Sequence, residues 1–258
     1  LVIGALRPGG AERQFSYVAS ALAEAGHQVN VCLIDPKSNN FNAYENSIRK
    51  TRANIYDLSS ESKDFLKEDL LSNEIQESLW LLSNTPEYIR TQVSNLYSHL
   101  VVQRPEVVHA WLDEVNITTA IAGILAGVPK IVLSARSLST PNFPAICKDW
   151  YQVWYKRVVK HPRVVLTANS KIGANSYGEW VDLSSEKIPV IYNGIDRKAF
   201  AAMADSKNSI RTTLSIPENV PLLVGVMRFS SEKRPQLFVK IFKELLKKVP
   251  NAHAVLVG

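Results

Sequence analysis

Apolar residues fall in short runs along this chain, separated by stretches whose apolar positions recur every three or four residues. The opening "LVIG" has the character of a strand, and the glycine-bearing "ALRPGGAERQ", Ala5 to Gln14, follows it. Phe15, Val18, Ala19 and Leu22 then recur at helical spacing as far as Gly26, a residue suited to a helix C-cap. This spacing predicts a helix of about four turns. "VNVCLI", Val29 to Ile34, comes next as a short buried strand, so strand, glycine turn, helix and strand make a βαβ unit. The same order returns in "EVVHA" (strand), "NITTAIAGILAG" (helix), "KIVLS" (strand), an aromatic helix from Ile146 to Lys160, and "RVVLTA" (strand). It continues with a helix from Lys171 to Val181 and the strand-like "KIPVIY". Apolar strands alternating with helices predict an α/β fold with a doubly wound parallel sheet covered on both faces. Ligands of such sheets bind at the carboxyl ends of the strands.

Two regions break the rhythm. Residues 37–104 are polar, rich in Ser, Asn, Glu and Lys, and read as a variable insertion: a loop first, then helices such as "NEIQESLWLL" and "EYIRTQVSNLYSHLV". Periodicity fades again from Asn193 to Pro221 before "PLLVGVM" opens a fresh strand and "RPQLFVKIFKELLKKVP" an amphipathic helix with Leu237, Ile241, Leu245 and Val249 on one face. The expected organisation is a Rossmann-like domain over 1–195, a linker over 196–220, and the start of a second Rossmann-like domain over 221–258. The chain begins without Met inside one strand-like run and stops inside another, "HAVLVG", so both ends are expected to be cut.

Composition narrows the classes. The 258 residues are 46% hydrophobic and 21% charged, which is globular and excludes a disordered chain. A net charge of +6, from 30 basic and 24 acidic residues, favours anionic partners without naming one. Cys32 and Cys147 belong to no CxxC or Cys/His cluster, so neither a metal site nor a disulfide framework is expected. No apolar run approaches the ~20 residues that span a bilayer, and the start lacks the marks of a signal peptide. A cytoplasmic setting follows.

Three stretches carry candidate chemistry. Gly9 and Gly10 sit on a strand-to-helix turn, where they either allow a tight turn or let a ligand approach the backbone. The order Gly4, Gly9, Gly10 fails the GxGxxG spacing of dinucleotide-binding enzymes, and Asp35 before a proline reads as a turn residue rather than a ribose ligand. "MRFSSEKRP", Met227 to Pro235, puts Arg228 and Lys233 on the next strand-to-helix loop, where a forked donor and a compact cation suit a diphosphate. Between them, Asn193 and Gly194 of "YNGIDRKAF" fit a turn at the junction of the two domains.

Taken in order, "LRPGGAERQ", "VIYNGID" and "VGVMRFSSEKRP" resemble the family 4 retaining glycosyltransferases of GT-B architecture, over most of residues 1–36 and 105–258. The resemblance implies two Rossmann-like domains facing a cleft, the first receiving an acceptor and the second a nucleotide-sugar. It implies that Arg228 and Lys233 hold the donor diphosphate without an obligatory metal, that the Gly9–Gly10 loop lies close to the donor phosphates, and that Asn193 and Gly194 line the hinge and cleft. The donor is then a UDP- or GDP-sugar, which is a substrate, so no cofactor is called for. The acceptor is a saccharide or lipid-linked saccharide of cell-surface polysaccharide or glycolipid synthesis.

The likeness also has departures. A histidine expected two residues after the one in "VVH" is Trp111 here, so His109 reads as an inward-facing strand residue. The catalytic group stays open between Asp113 and His109. Trp111 could stack on a sugar ring, with Asp113 and Asn116 bonding its hydroxyls. Two glutamates that contact the donor in the family should lie beyond Gly258, which implies that the fragment alone is inactive. "CKDWYQVWYKRVVKHPR" interleaves Trp150, Tyr151, Trp154 and Tyr155 with basic residues; it is either a core helix with solvated lysines or a peripheral contact with the inner face of the cell membrane. No nucleic-acid-binding motif accompanies the charge. A GT-B sugar-nucleotide epimerase and a non-catalytic partner-binding module stand as alternatives.

Overall fold

A computed structural model describes residues 1–35, 43–59, 85–197 and 210–258. These divide into two compact units, Leu1–Gly194 and Ile195–Gly258.

The first unit is built as β1 (Val2–Ile3), α1 (Gly10–Glu24), β2 (Asn30–Leu33), α2 (Glu45–Arg49), β3 (Asn54–Asp57), α3 (Glu87–Gln103), β4 (Val107–Trp111), α4 (Asp113–Leu125), β5 (Lys130–Ala135), α5 (Asp149–Val158), β6 (Val164–Ala168) and α6 (Lys171–Val181). Its six strands form one sheet in the order β3-β2-β1-β4-β5-β6, and every pairing is parallel. This is the doubly wound, Rossmann-like order. Successive strand residues point to opposite faces, which the core records directly. Val2, Cys32, Val108 and Ala110 join one apolar layer with residues of α3, α4, α5 and α6, whereas Ile3, Val31, Leu33 and Trp111 join the other with Phe15, Ala19 and Ala23 of α1.

Two expected elements differ. The stretch read as loop after residue 37 contains the short helix α2 and the edge strand β3, whose four residues are half-buried or exposed and so lack an apolar run. "KIPVIY" forms only an isolated bridge, Val190 to Ala168, instead of a strand. Pro189 has no N–H to extend a ladder there. The segment "NEIQESLWLL" lies outside the described residues, while "EYIRTQVSNLYSHLV" lies within α3.

The second unit contains α7 (Ile210–Thr213), β7 (Leu222–Val226), α8 (Pro235–Leu246) and β8 (His253–Val257). β7 and β8 pair in parallel with α8 between them in sequence, making a βαβ unit. Pro235 opens α8, where its missing N–H costs nothing. A Cβ at Gly225 on β7 would come within 2.8 Å of Leu256 and 2.9 Å of Phe238, so those side chains would have to shift to admit one.

Candidate functional site

In the first unit the strand order reverses between β1 and β4, and the chain leaves their carboxyl ends for helices on opposite faces. A crevice forms at such a switch point. At this edge stand the β1–α1 turn, the β4–α4 junction, the end of β5 and the segment that closes the unit.

Gly9 caps α1 in an extended conformation (φ −155) with no side-chain hydrogen bond, and Gly10 begins the helix. Neither adopts a left-handed backbone among the described residues. A Cβ at Gly10 would meet nothing within 4 Å, and one at Gly9 would meet the movable carboxylate of Glu12. The turn itself therefore does not demand these glycines. They leave open backbone before the N-terminus of a 15-residue helix, whose first N–H groups lack intrahelical partners.

One turn into α1, Gln14 clasps the closing segment. Its Nε2 donates to the Gly194 carbonyl and its Oε1 accepts from the Gly194 N–H, each at 2.8 Å. The neighbouring Asn193 Oδ1 accepts from Nη2 of Arg136, which directly follows β5. The Arg136 guanidinium lies 4.0 Å from the centre of the Trp111 ring. So Gln14, Trp111, Arg136, Asn193 and Gly194 form one connected cluster.

Trp111 is 3% exposed, with Arg136 over its ring and Phe15 set edge-on at 5.7 Å. The face expected to receive a sugar is therefore already covered, because the side chain points into the α1 layer. Asn116 is fully buried. Its Nδ2 donates to the Ser134 carbonyl (3.1 Å) and the Tyr155 hydroxyl (2.9 Å), and its Oδ1 accepts from the Ser134 N–H (3.2 Å). It ties α4 to β5 and α5, which corrects the expectation of a sugar-hydroxyl contact. His109 pairs its Nε2 with the Ser134 hydroxyl at 2.8 Å. Burial above all, helped by Arg136, lowers its pKa to about 3, so it is a neutral strand residue.

Asp113 begins α4 and accepts on one oxygen, Oδ1, from the hydroxyls of both Tyr155 (2.8 Å) and Tyr177. Burial pushes its carboxyl up and the two phenols pull it back. The adjacent Glu114 is held likewise, by Tyr88 at 2.8 Å and Tyr151 at 3.1 Å. Between Trp111 and this pair, Leu112 has φ 77 and ψ 153, a conformation costing a side-chain-bearing residue of order 1–3 kcal/mol. Leu112 is pinned by hydrogen bonds to Ser134 O and from Asn116 N.

Tyr151, Trp154 and Tyr155 of α5 are buried, and Lys156 pairs with Asp182 at 2.6 Å. This is the core arrangement of the aromatic and basic stretch. Among the described residues no helix is long and apolar enough to cross a membrane.

The second unit carries the other candidates. Arg228 follows β7 by two residues, and Lys233 ends a short 3₁₀ turn, Ser231–Lys233, ahead of α8. The Arg228 side chain is 78% exposed and its Nη2 meets Glu232 Oε1 at 3.1 Å.

Sequence reasoning missed Gln14, Arg136, the paired tyrosine clamps and the strained Leu112. Only Arg136 had a local signal, a charged residue closing an apolar strand at the edge where ligands bind. The other partners lie far away in sequence.

Comparison with known proteins agrees with this architecture. The family model described as Glycosyltransferase Family 4 matches residues 8–199. The Vi polysaccharide biosynthesis protein VipC/TviE of Salmonella typhi is 26% identical over 180 residues, covering 69% of this chain. The chain spans only about a third of that relative, 31% of its length.

Proposed function

Since this chain belongs to Glycosyltransferase Family 4, we propose that it moves a sugar from a nucleotide-diphosphate donor to a saccharide or lipid-linked acceptor in polysaccharide biosynthesis. The observation that carries the donor side is the β7–α8 loop, which presents Arg228 and Lys233 at the carboxyl end of a parallel strand, both open to solvent. When the bond between the sugar and the diphosphate breaks, negative charge grows on the departing oxygen. Fixed cations aimed there stabilise the transition state more than the ground state. A forked guanidinium and a point-charge ammonium divide that task between them.

The name of the Salmonella typhi relative supports the polysaccharide assignment. Retention of anomeric configuration and independence of metal are part of the proposal, as is a cytoplasmic site of action, at the inner membrane face when the acceptor is lipid-linked. The basic pair supplies charge neutralisation at the leaving group, so a chelator should leave turnover unchanged.

The deciding experiment is a calorimetric titration of the full-length protein with UDP, GDP and ADP in the presence of EDTA. We expect saturable binding of one nucleotide, abolished by Arg228→Ala with Lys233→Ala. Absence of binding to all of them would overturn the donor assignment and favour a partner-binding module.

A further inference from the structure

Among the described residues, Arg136 is a cation that the fold holds in place without a carboxylate partner. Among the described residues no carboxylate lies within ion-pair reach of it, although both its stacking face and one of its terminal nitrogens are engaged. Its Nε–H is shut off from water with no acceptor. Trp111, itself buried, forms the floor, and Asn193 fixes the fork from the side. Its own backbone is anchored as well, through a hydrogen bond from Asn169 Nδ2 to the Arg136 carbonyl at 3.1 Å.

A guanidinium partly removed from water and left unpaired is a cost to the folded chain, one an incoming anion would offset. Its location fits that role, since it follows β5 at the carboxyl edge of the sheet, where ligands of parallel sheets bind. Burial moves its pKa down only to about 10, so it stays charged at neutral pH.

We propose that Arg136 is an anion-binding residue of the first unit, receiving a single phosphate or carboxylate group of the acceptor through its forked N–H donors. Its chemistry suits both groups, because a planar fork matches the paired oxygens of either. The site stands on the geometry of Arg136; that its ligand is the acceptor rests on the transferase reading, in which Arg228 and Lys233 take the donor diphosphate. An acceptor carrying a phosphate, as in a phospholipid-linked sugar, and an acidic saccharide carrying a carboxylate are the two sources of such a group.

The indole N–H of Trp111 reports on the site in a ¹H–¹⁵N NMR titration of the full-length protein with methyl phosphate, glucuronate and glucose. One of the two anions should shift this signal saturably and glucose should not. Tighter binding of methyl phosphate points to a phosphorylated acceptor, and tighter binding of glucuronate to an acidic saccharide. Arg136→Gln should weaken the anion roughly tenfold or more, the scale of losing charge-assisted hydrogen bonds. Arg136→Lys, which keeps the charge but loses the fork, should fall between; it carries the test if the Gln variant does not fold.

A Trp111 signal that ignores both anions, or responds equally in all three proteins, would overturn the proposal. Titration of the same samples with UDP, GDP and ADP separates the two readings. Binding of one nucleotide that survives Arg136→Gln is expected. An Arg136-dependent anion response with no nucleotide binding would leave the anion site standing and remove the transferase assignment.

Discussion

Arg136 and Arg228 occupy equivalent places in two different units, each just beyond the carboxyl end of a parallel strand, yet their surroundings are opposite. Arg136 is pressed onto a buried tryptophan and tied by Asn193, with no carboxylate partner among the described residues. Arg228 stands in solvent and shares a surface pair with Glu232, four residues away. The first side chain has lost its freedom before any ligand arrives, whereas the second must give up its surface partner and its rotamers to bind one. Preorganisation suits a site that selects and positions a group. On the donor reading, the exposed cation becomes a fixed one only when a bound diphosphate orders it.

The largest effect that would break this contrast concerns the exposed pair. Arg228→Ala with Lys233→Ala should cut sugar transfer by roughly 10³-fold or more, the scale of losing fixed donors at a developing charge. The melting temperature should not move, because neither side chain packs into the core. A coupled loss of stability, or turnover near that of the parent, would end the donor-site assignment.

On the buried side the expectation reverses. Trp111→Ala removes a side chain that is 3% exposed and should destabilise the first unit by about 3–5 kcal/mol, measurable by urea unfolding. If stability holds, the indole is not the floor under Arg136.

His109, which neighbours this cluster, supplies a pH test. Its folded pKa of about 3 lies below its ordinary 6.5, because burial disfavours the imidazolium. Below pH 6.5 the unfolded chain therefore binds a proton that the folded chain refuses, and stability falls as pH is lowered toward 3. The slope for one group approaches about 1.4 kcal/mol per pH unit. Above pH 6.5 this contribution is flat. Comparing unfolding free energies at pH 7 and pH 5 in the parent and in His109→Gln isolates it; identical pH slopes in both would refute a neutral, buried His109.

The smallest effect sharpens the contrast at the second arginine. Glu232→Gln frees Arg228 from its surface partner and should tighten nucleotide binding roughly two- to fivefold at low salt, the small effect of an exposed pair. The difference should shrink as salt is raised. Calorimetry at low and high ionic strength would detect it, and weaker binding in the variant would mean that Glu232 positions Arg228 rather than competing for it.

Local sequence determined the order of the elements. Apolar runs and helical spacing marked α1, β2, β4, β5, β6, α6, β7 and α8, and their alternation was enough to imply a parallel, doubly wound sheet. Glycines and basic residues on strand-to-helix loops pointed to its ligand-binding edge. What that reading could not supply were pairings between distant residues. The clasp between Gln14 and Gly194 spans 180 positions, the bond between Arg136 and Asn193 spans 57, and that between Tyr177 and Asp113 spans 64. Periodicity records which face a residue occupies, not what the opposite element places against it. Trp111 and Asn116 were thus recognisable as residues near the edge, but only packing decided that one would lie beneath a guanidinium and the other would bind the core backbone. Edge elements escaped for a related reason: β3 is too exposed to need an apolar run, and Pro189 withholds the N–H that "KIPVIY" would need to become a strand. Helix and strand patterns arise from burial against a generic interior, whereas a site arises from particular partners, and those are chosen only when the chain closes on itself.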